Sequence, residues 1–554
     1  MSTTDPAAAA AGAPPDLLAL TRLANAMFSA LPGSPVGIDD ASTAQELTAG
    51  VPAAVSPVGG GAPERALAQA GAGAPVPDPR AAGSSPYLLD LAPVAPPQLP
   101  AAAEPRASGS SLYFLELAQP RPILPGIPGT DAFGGVPAAL PAAHSPFDVE
   151  AIRRDFPILG ERVNGRPLIW LDNGATTQKP QVVIDRLRGF YEHQNSNIHR
   201  AAHELAARAT DAYEGARDKV RRFLNAASPE EIVFVRGATE AINLVAKSWG
   251  RKHLGPGDEI VLSHLEHHAN IVPWQQVAEE TGARIKVIPV DDRGQILLEA
   301  YERLLGPRTR LAAFTHVSNA IGTVTPAREM VAMARRYGAH VLLDGAQSVP
   351  HLRIDVQDLD CDWFVFSGHK VFAPTGIGVL YGKAAVLADM PPWQGGGNMI
   401  KDVTFERTEY HPPPGRFEAG TGNIADAVGL GAALDYVERI GLENIARHEH
   451  ELLEHGTRLL REIPGLRLFG TAADKAAVLS FVLDGLRSED VGKALNREGI
   501  AVRAGHHCAQ PILRRFGVET TVRASLALYN TMAEVETLAG ALRQLRSASP
   551  MPIA

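Results

Sequence analysis

From about residue 147 onward, short unbroken apolar runs alternate with stretches in which apolar positions recur every three or four residues. The runs over 232–235, 259–263, 285–289, 311–315, 341–344 and 363–366 predict strands, and the periodic stretches over 239–249, 274–281 and 330–337 predict helices. Runs apolar at every position, rather than at every second one, belong to strands covered on both faces, as in a parallel sheet flanked by helices. In such a sheet, ligands collect at the carboxyl ends of the strands. Ahead of this region, 148–156 predicts a short amphipathic helix, and 168–172 a strand running into the small-residue turn Asn173-Gly174-Ala175-Thr176-Thr177. Beyond Asp426 the pattern changes to long helices over 427–440 and 442–462, strands over 477–483 and 501–503, and a last helix over 532–546. The expected organisation is therefore α/β. A large domain over 166–425 carries the main sheet, and a smaller α+β domain over 426–554, joined by an N-terminal segment over 146–165, closes over its cleft.

Residues 1–145 follow neither period. About half are Ala, Gly or Pro, and the first lysine in the chain is Lys179. A segment with so little apolar surface to bury does not offset its conformational entropy, so a disordered extension is expected. Three islands interrupt it. Residues 16–31 place Leu20, Leu23, Met27 and Leu31 at helical spacing behind Asp16, and the motif around Tyr87 (83–92) returns around Tyr113 (109–118). A short apolar motif repeated on a flexible tether suits multivalent docking. The apolar run 17–31 is too short to span a bilayer, is interrupted by Arg22 and follows Asp5 and Asp16 instead of a basic segment, so a soluble, cytoplasmic protein is expected. The net charge of −9 argues against nucleic-acid binding by a basic surface. Two cysteines, Cys361 and Cys508, cannot form a disulfide framework, which points to a reducing compartment.

The chemistry centres on Ser367-Gly368-His369-Lys370, directly after the buried run 363–366. A lysine at such a strand end can be held partly desolvated and tuned to form a Schiff base. Twenty-six positions earlier, the run 340–343 ends in Asp344, a carboxylate able to keep a pyridinium nitrogen protonated, which pyridoxal phosphate requires as an electron sink. The turn Arg236-Gly237-Ala238-Thr239-Glu240, between strand and helix, suits a phosphate at a helix N-terminus. His267, after another strand, can stack on a pyridine ring and relay protons. Asn319 and Arg523 are candidates to grip a carboxylate, Arg523 in bidentate fashion. Cys508 lies in a Gly- and Pro-bounded loop beside Arg503, His506 and His507, whose positive charge favours the attacking thiolate, whereas Cys361 sits between Asp360 and Asp362 and suits a structural role. The clusters 264–268 and 506–508 admit a zinc reading, but neither has ligand pairs at the usual spacing, so no metal is expected.

Taken together, the stretches 172–180, 197–200, 266–274, 344–347, 367–370 and 503–511 resemble the SufS-type (group II) cysteine desulfurases, fold-type I pyridoxal-phosphate enzymes of the class V aminotransferase group, over about 146–550. The resemblance implies that Lys370 holds the cofactor and moves the substrate Cα proton, that Asp344 pairs with the ring nitrogen and Gln347 with the ring hydroxyl, and that His267 stacks on the ring. It implies that Ala238, Thr239, Ser367 and His369 bind the phosphate, with Thr421 reaching it from a second subunit, so that a homodimer shares its sites. Asn319 and Arg523 would bind the cysteine carboxylate, Arg200 would lie near the neighbouring site, and Cys508 would take the sulfur as a persulfide, release alanine and hand the sulfur to an acceptor protein of the SufE or SufU type. Two positions depart from the family pattern: Ala238, where a second Thr is frequent, and Gly422, where Pro follows the Thr.

Residues 1–145 resemble the cargo-loading extensions of desulfurases packaged in family 2 encapsulin shells, which implies a shell partner and a place inside such a nanocompartment. Two alternatives stay open on the sequence: a selenocysteine lyase with the same cofactor chemistry, and a non-catalytic cargo or interaction protein.

Overall fold

The computed structural model describes residues 147–199 and 203–548. The apolar islands of the N-terminal region, the expected disorder of residues 1–145 and the position of Arg200 lie outside the described residues. Seven strands, β1 (Ile232–Val235), β2 (Glu259–Ser263), β3 (Arg284–Ile288), β4 (Thr309–Thr315), β5 (His340–Asp344), β6 (Trp363–Ser367) and β7 (Gly378–Gly382), form one sheet in the order β3-β2-β4-β5-β6-β7-β1. From β3 to β6 the strands are parallel, and β7 runs antiparallel to both of its neighbours. The continuous apolar runs follow from this placement. Phe364 and Phe366 face one buried cluster while Trp363 and Val365 face another, and β1 divides Ile232 and Phe234 from Val233 and Val235 in the same way.

The helices covering the sheet include α1 (Gln181–His193), α2 (Glu204–Phe223), α3 (Ala238–Val245), α4 (Val272–Thr281) and α5 (Ala327–Arg336). Next comes α6 (Ile424–Ile440), which packs against both α1 and α2 and is buried along most of its length. The helix expected over 239–249 instead ends at Val245 and continues as a π-turn over Ala246–Gly250, in which Trp249 lodges edge-on against Trp363 at 5.2 Å.

Beyond α7 (Leu442–Arg461), a second sheet is built from β8 (Leu466–Phe469), β9 (Val478–Leu483), β10 (Arg503–Gly505) and β11 (Thr521–Ser525), antiparallel in the order β8-β9-β11-β10. Helices α8 (Ser488–Arg497) and α9 (Met532–Ala548) complete its layer, with Leu452, Leu479, Phe481, Leu495, Val522 and Leu538 as its core. The strand expected over 501–503 is divided. Ile500–Ala501 pairs in parallel with Ile169–Trp170 near the start of the described chain, and Arg503–Gly505 pairs with β11. Among the described residues no helix is long and apolar enough to cross a membrane.

Two glycines set the geometry at the carboxyl edge of the large sheet. A Cβ on Gly378 would fall 2.4 Å from the Gly237 Cα and 2.6 Å from the Phe366 carbonyl oxygen, and one on Gly345 would fall 2.0 Å from the Phe364 ring. Only a bare backbone lets the turn before α3 and the strand end before Lys370 come this close.

Candidate active site

The carboxyl ends of the strands converge. β5 ends in Asp344, β6 ends in Ser367 three residues before Lys370, β1 leads through Gly237 into α3, and the turns after β2 and β4 carry His267 and Asn319. Asp344, Ser367, Lys370, His267 and Asn319 line a cavity of about 210 Å³, together with Ala238, Thr239, Gln347 and His369 from the same edge and Arg503, His507, Cys508 and Arg523 from the second sheet and its loop. Of the residues singled out in the sequence, Thr421 lines a separate cavity with Tyr213, Arg236 and Glu418, and Arg200 lies outside the described residues. The sequence reading missed the wall residues Thr315 and Val317, and it counted His507 as a positive neighbour of the thiol, whereas burial first, and then Arg523, lower that imidazole to about 3 and leave it neutral. Thr315 is the last residue of β4 and Val317 follows it two positions on, with no further signal in the sequence.

Burial sets the protonation of the cleft. It lowers the Lys370 amine to about 8, with Asp344 partly opposing the shift. Burial pushes the Asp344 carboxyl up, while the Ala346 N–H donated to its Oδ1 at 3.0 Å and the nearby Lys370 hold it down. Burial first, and then Lys370, lower His267 to about 3, so the imidazole is neutral. Its Nδ1 accepts the Ala269 N–H at 3.0 Å, which places the ring proton on Nε2. Beneath His267, Glu266 is fully buried and raised to about 8 by that burial. It accepts from Asn270 Nδ2 at 2.6 Å and from the Thr315 N–H at 3.1 Å, tying the ends of β2 and β4 together.

The turn carrying Lys370 is clamped from the N-terminal side. The His369 carbonyl accepts the Thr176 hydroxyl at 3.0 Å, the Thr177 N–H at 3.1 Å and the Lys179 ammonium at 3.0 Å. Gln347 Nε2 donates to the Gly174 carbonyl at 2.7 Å, and a Cβ on Gly174 would stand 3.0 Å from the Arg523 guanidinium carbon. These bonds explain why the small-residue turn 173–177 belongs to the site although it brings no catalytic side chain.

On the opposite wall, His507 and Cys508 both have φ of 53°, a left-handed backbone that costs a non-glycine residue about 1–2 kcal/mol. The pair is held there by several partners. Asn319 Nδ2 donates to the His507 carbonyl at 2.6 Å, the His268 N–H to the Cys508 carbonyl at 2.8 Å, and the Cys508 N–H to His506 Nδ1 at 3.0 Å. The loop thereby presents the Cys508 thiol to the cleft. By contrast Cys361 is completely buried, and burial with Asp362 alongside pushes its thiol far up, as a structural cysteine requires.

The cleft carries polar atoms that the chain itself does not satisfy: Asn319 Oδ1, Arg523 Nε and His507 Nδ1 are buried without partners. At its other end, α3 is capped by Gly237, which has no side chain to offer, and the Ser367 hydroxyl accepts the Ala238 N–H at 2.9 Å. An N-terminus with amide donors, a hydroxyl and a half-buried His369 fits a phosphate, and the strand-end carboxylate and buried amine fit a pyridoxal ring between them. Among the described residues no group of three or more His, Cys, Asp or Glu is placed to hold a metal ion.

Residues 169–538 match the family model described as Aminotransferase class-V. The chain is 72% identical over 414 residues to a cysteine desulfurase of Synechococcus elongatus, an overlap of 74% of this chain and 66% of the relative. It is 50% identical over 400 residues to a cysteine desulfurase of Pectobacterium atrosepticum, an overlap of 72% of this chain and 98% of the relative. Among solved structures, the apo cysteine desulfurase of Thermococcus onnurineus NA1 matches with a TM-score of 0.69 at 38% identity, covering 72% of this chain and 98% of that one. The chain spans just under two thirds of the Synechococcus relative, with 66% of its length matched. A seven-stranded sheet with one antiparallel member, a lysine after the sixth strand, an aspartate at the end of the fifth and a family match across both sheets lead to one conclusion: the chain belongs to the class-V aminotransferase family and has the α/β fold-type I architecture of pyridoxal-phosphate enzymes.

Proposed function

We propose that this protein is a cysteine desulfurase, converting L-cysteine to L-alanine and taking the sulfur as a persulfide on Cys508. One observation carries this reading: a single cleft joins the buried amine of Lys370 and the carboxylate of Asp344 to a thiol, Cys508, held on the facing wall beside the unsatisfied Arg523 and Asn319.

Pyridoxal phosphate, when bound, supplies an electron sink for the bonds to the substrate Cα. Lys370 would hold it covalently and move the Cα proton, a task suited to an amine lowered to about 8. Asp344 would keep the ring nitrogen protonated, neutral His267 would stack on the ring, Gln347 would face the ring hydroxyl, and Ala238, Thr239, Ser367 and His369 would hold the phosphate. Arg523 and Asn319 orient the substrate carboxylate, which brings the substrate sulfur toward Cys508. The Cys508 thiolate attacks that sulfur, an S–S bond forms as the Cβ–S bond breaks, the carbon that loses sulfur gains a proton, and alanine leaves. An external thiol then reduces the persulfide and releases sulfide.

The finer assignments belong to the same reading. The short loop at Cys508 fits the SufS-type group, which passes sulfur to an acceptor protein of the SufE or SufU type. Thr421, together with Arg200, would serve the active site of a second copy in a homodimer. Residues 1–145, with the repeated Tyr87 and Tyr113 motifs, would dock the enzyme inside an encapsulin shell.

The test is alanine and sulfide release from L-cysteine under reductant by the wild type and Cys508→Ala, with selenocysteine in parallel. Loss of cysteine turnover in the variant, with cofactor absorbance retained, is the expected result. Cysteine turnover that survives in Cys508→Ala would falsify the persulfide step, and turnover confined to selenocysteine would identify a selenocysteine lyase instead.

A further inference from the structure

A second cavity, of about 620 Å³, lies between α7 and the segment formed by β8 and the turn after it. Leu453, Leu468, Phe469 and Val478 give it an apolar floor, and Arg458, Arg461 and Lys475 give it a cationic wall. Of the two carboxylates that line it, Glu462 pairs with Arg543 at 3.0 Å and Glu454 sits 3.4 Å from His450 Nε2. Among the described residues no carboxylate lies within 4.0 Å of a charged nitrogen of Arg458, Arg461 or Lys475. The Arg458 guanidinium instead meets His455 Nδ1 at 2.7 Å, and the Lys475 ammonium donates to the Ile321 carbonyl. A half-buried ammonium with one neutral acceptor and no carboxylate partner is electrostatically incomplete, and desolvation lowers it to about 7.

The acceptor is what connects this cavity to the cleft. Ile321 belongs to the turn 318–323, whose Asn319 faces the cleft and whose main chain is gripped from the second sheet. The Ala476 N–H donates to the Gly322 carbonyl at 2.8 Å, the Val324 N–H to the Asp474 carbonyl at 3.0 Å, and the Ser480 hydroxyl to the Ala320 carbonyl. Arg523 Nη1 donates to the carbonyl of Asn319 itself at 2.8 Å. The ammonium of Lys475 thus holds the middle of a six-residue turn whose first half positions two groups of the cleft.

We propose that this cavity is a second ligand site, for an organic anion with an apolar body and a carboxylate, sulfonate or phosphate head, and that its occupation weakens substrate binding through the turn 318–323. The volume lies in the range of small-molecule pockets, the apolar floor takes the body, and the three cations without carboxylate partners take the head. An anion drawing Lys475 away from Ile321 removes one of the bonds that hold the turn, which is the differential interaction that coupling between two sites requires. The binding half stands on the cavity alone, and the coupling half rests on the desulfurase reading.

The experiment is calorimetric titration of the pyridoxal-phosphate-loaded enzyme with naphthalene-1-sulfonate, for the wild type, Arg461→Glu and Lys475→Met, followed by L-cysteine kinetics with and without the probe. One site in the wild type, weakened at least about tenfold in both variants, together with a KM for cysteine raised several-fold by the probe at unchanged kcat, is the expected result. Arg461 is exposed and outside the turn, so its variant keeps the test valid if Lys475→Met fails to fold. Absence of binding, or binding that Arg461→Glu leaves unchanged, overturns the site. Binding that leaves KM unchanged overturns the coupling. Absence of cysteine turnover with probe binding intact refutes the desulfurase reading and leaves the site standing.

Discussion

Replacing Arg523 with lysine tests the substrate grip while preserving its charge. Arg523 is 2% exposed, donates Nη1 to the Asn319 carbonyl at 2.8 Å and Nη2 to Asp172 Oδ1 at 3.2 Å, and leaves Nε without a partner. A lysine ammonium offers one point of charge in place of a planar fork, so it cannot hold the Asn319 carbonyl and Asp172 while also meeting a substrate carboxylate in two places. Loss of one charge-assisted hydrogen bond costs about 1.5–3 kcal/mol. At about 1.4 kcal/mol per tenfold, that is roughly a 10- to 100-fold fall in kcat/KM. The carboxylate is bound alike in the ground and transition states, so the loss belongs in KM. The assay is steady-state alanine release over a range of L-cysteine concentrations, with the cofactor absorbance recorded in the same samples. An unchanged kcat/KM would remove Arg523 from substrate binding, and a fall confined to kcat would move it from holding the substrate to the chemical step.

Other expectations follow from the same geometry. Gly378→Ala drives a methyl into the Gly237 main chain, an overpacking cost of about 1–3 kcal/mol; because the displaced turn caps α3, the variant should lose pyridoxal phosphate on dialysis faster than the wild type and melt at a lower temperature. Glu266, raised by burial to about 8 in the fold, contributes stability that is complete below its unfolded value near 4.5 and is lost as pH rises through 8. Glu266→Gln, whose side chain does not ionise, should therefore flatten the decline of the denaturant midpoint across that interval, and a midpoint profile parallel to the wild type's would show that Glu266 is not the group responsible. Deleting residues 1–145 should leave cysteine turnover unchanged and abolish loading into a co-expressed shell, and equal loading of both forms would sink the docking role.

Much of the site was legible because its chemistry stands where the hydrophobic pattern stops. Asp344 and Ser367 terminate runs that are buried at every position after His340 and from Trp363 on, and a polar residue at the end of such a run has few places to be other than the carboxyl edge of a sheet. The elements that escaped the sequence reading lack that contrast. β7, Gly378–Gly382, carries glycines at both ends, yet it is completely buried between β6 and β1, where close approach rather than side-chain bulk decides the packing. Helix α2 is highly charged, and its buried stripe mixes three alanines and Arg217 with Tyr213, Val220 and Phe223. The pairing of Ile169–Trp170 with Ile500–Ala501, and the clamp of the turn 173–177 on His369, join parts of the chain that local periodicity cannot relate. Thr421 could be named as a motif residue, but its place in a cavity apart from Lys370 becomes visible only in three dimensions.

The contact between Asp172 and Arg523 spans 351 positions, and the thiol of Cys508 shares its cavity with Gly174 and Ala175 from the opposite end of the described chain. A ribosome delivers these two ends far apart in time. The large sheet, with Lys370 already present, can condense while the chain is still emerging, whereas the Asp172 anchor, the Asn319 turn and the strained thiol loop all wait for β11, one of the last strands to appear. Reactive amine and reactive sulfur therefore meet only in a finished molecule. On the desulfurase reading, a chain that stops short of β11 would lack the means to take sulfur from the free cysteine around it, whereas one that lacks only residues 1–145 would keep it.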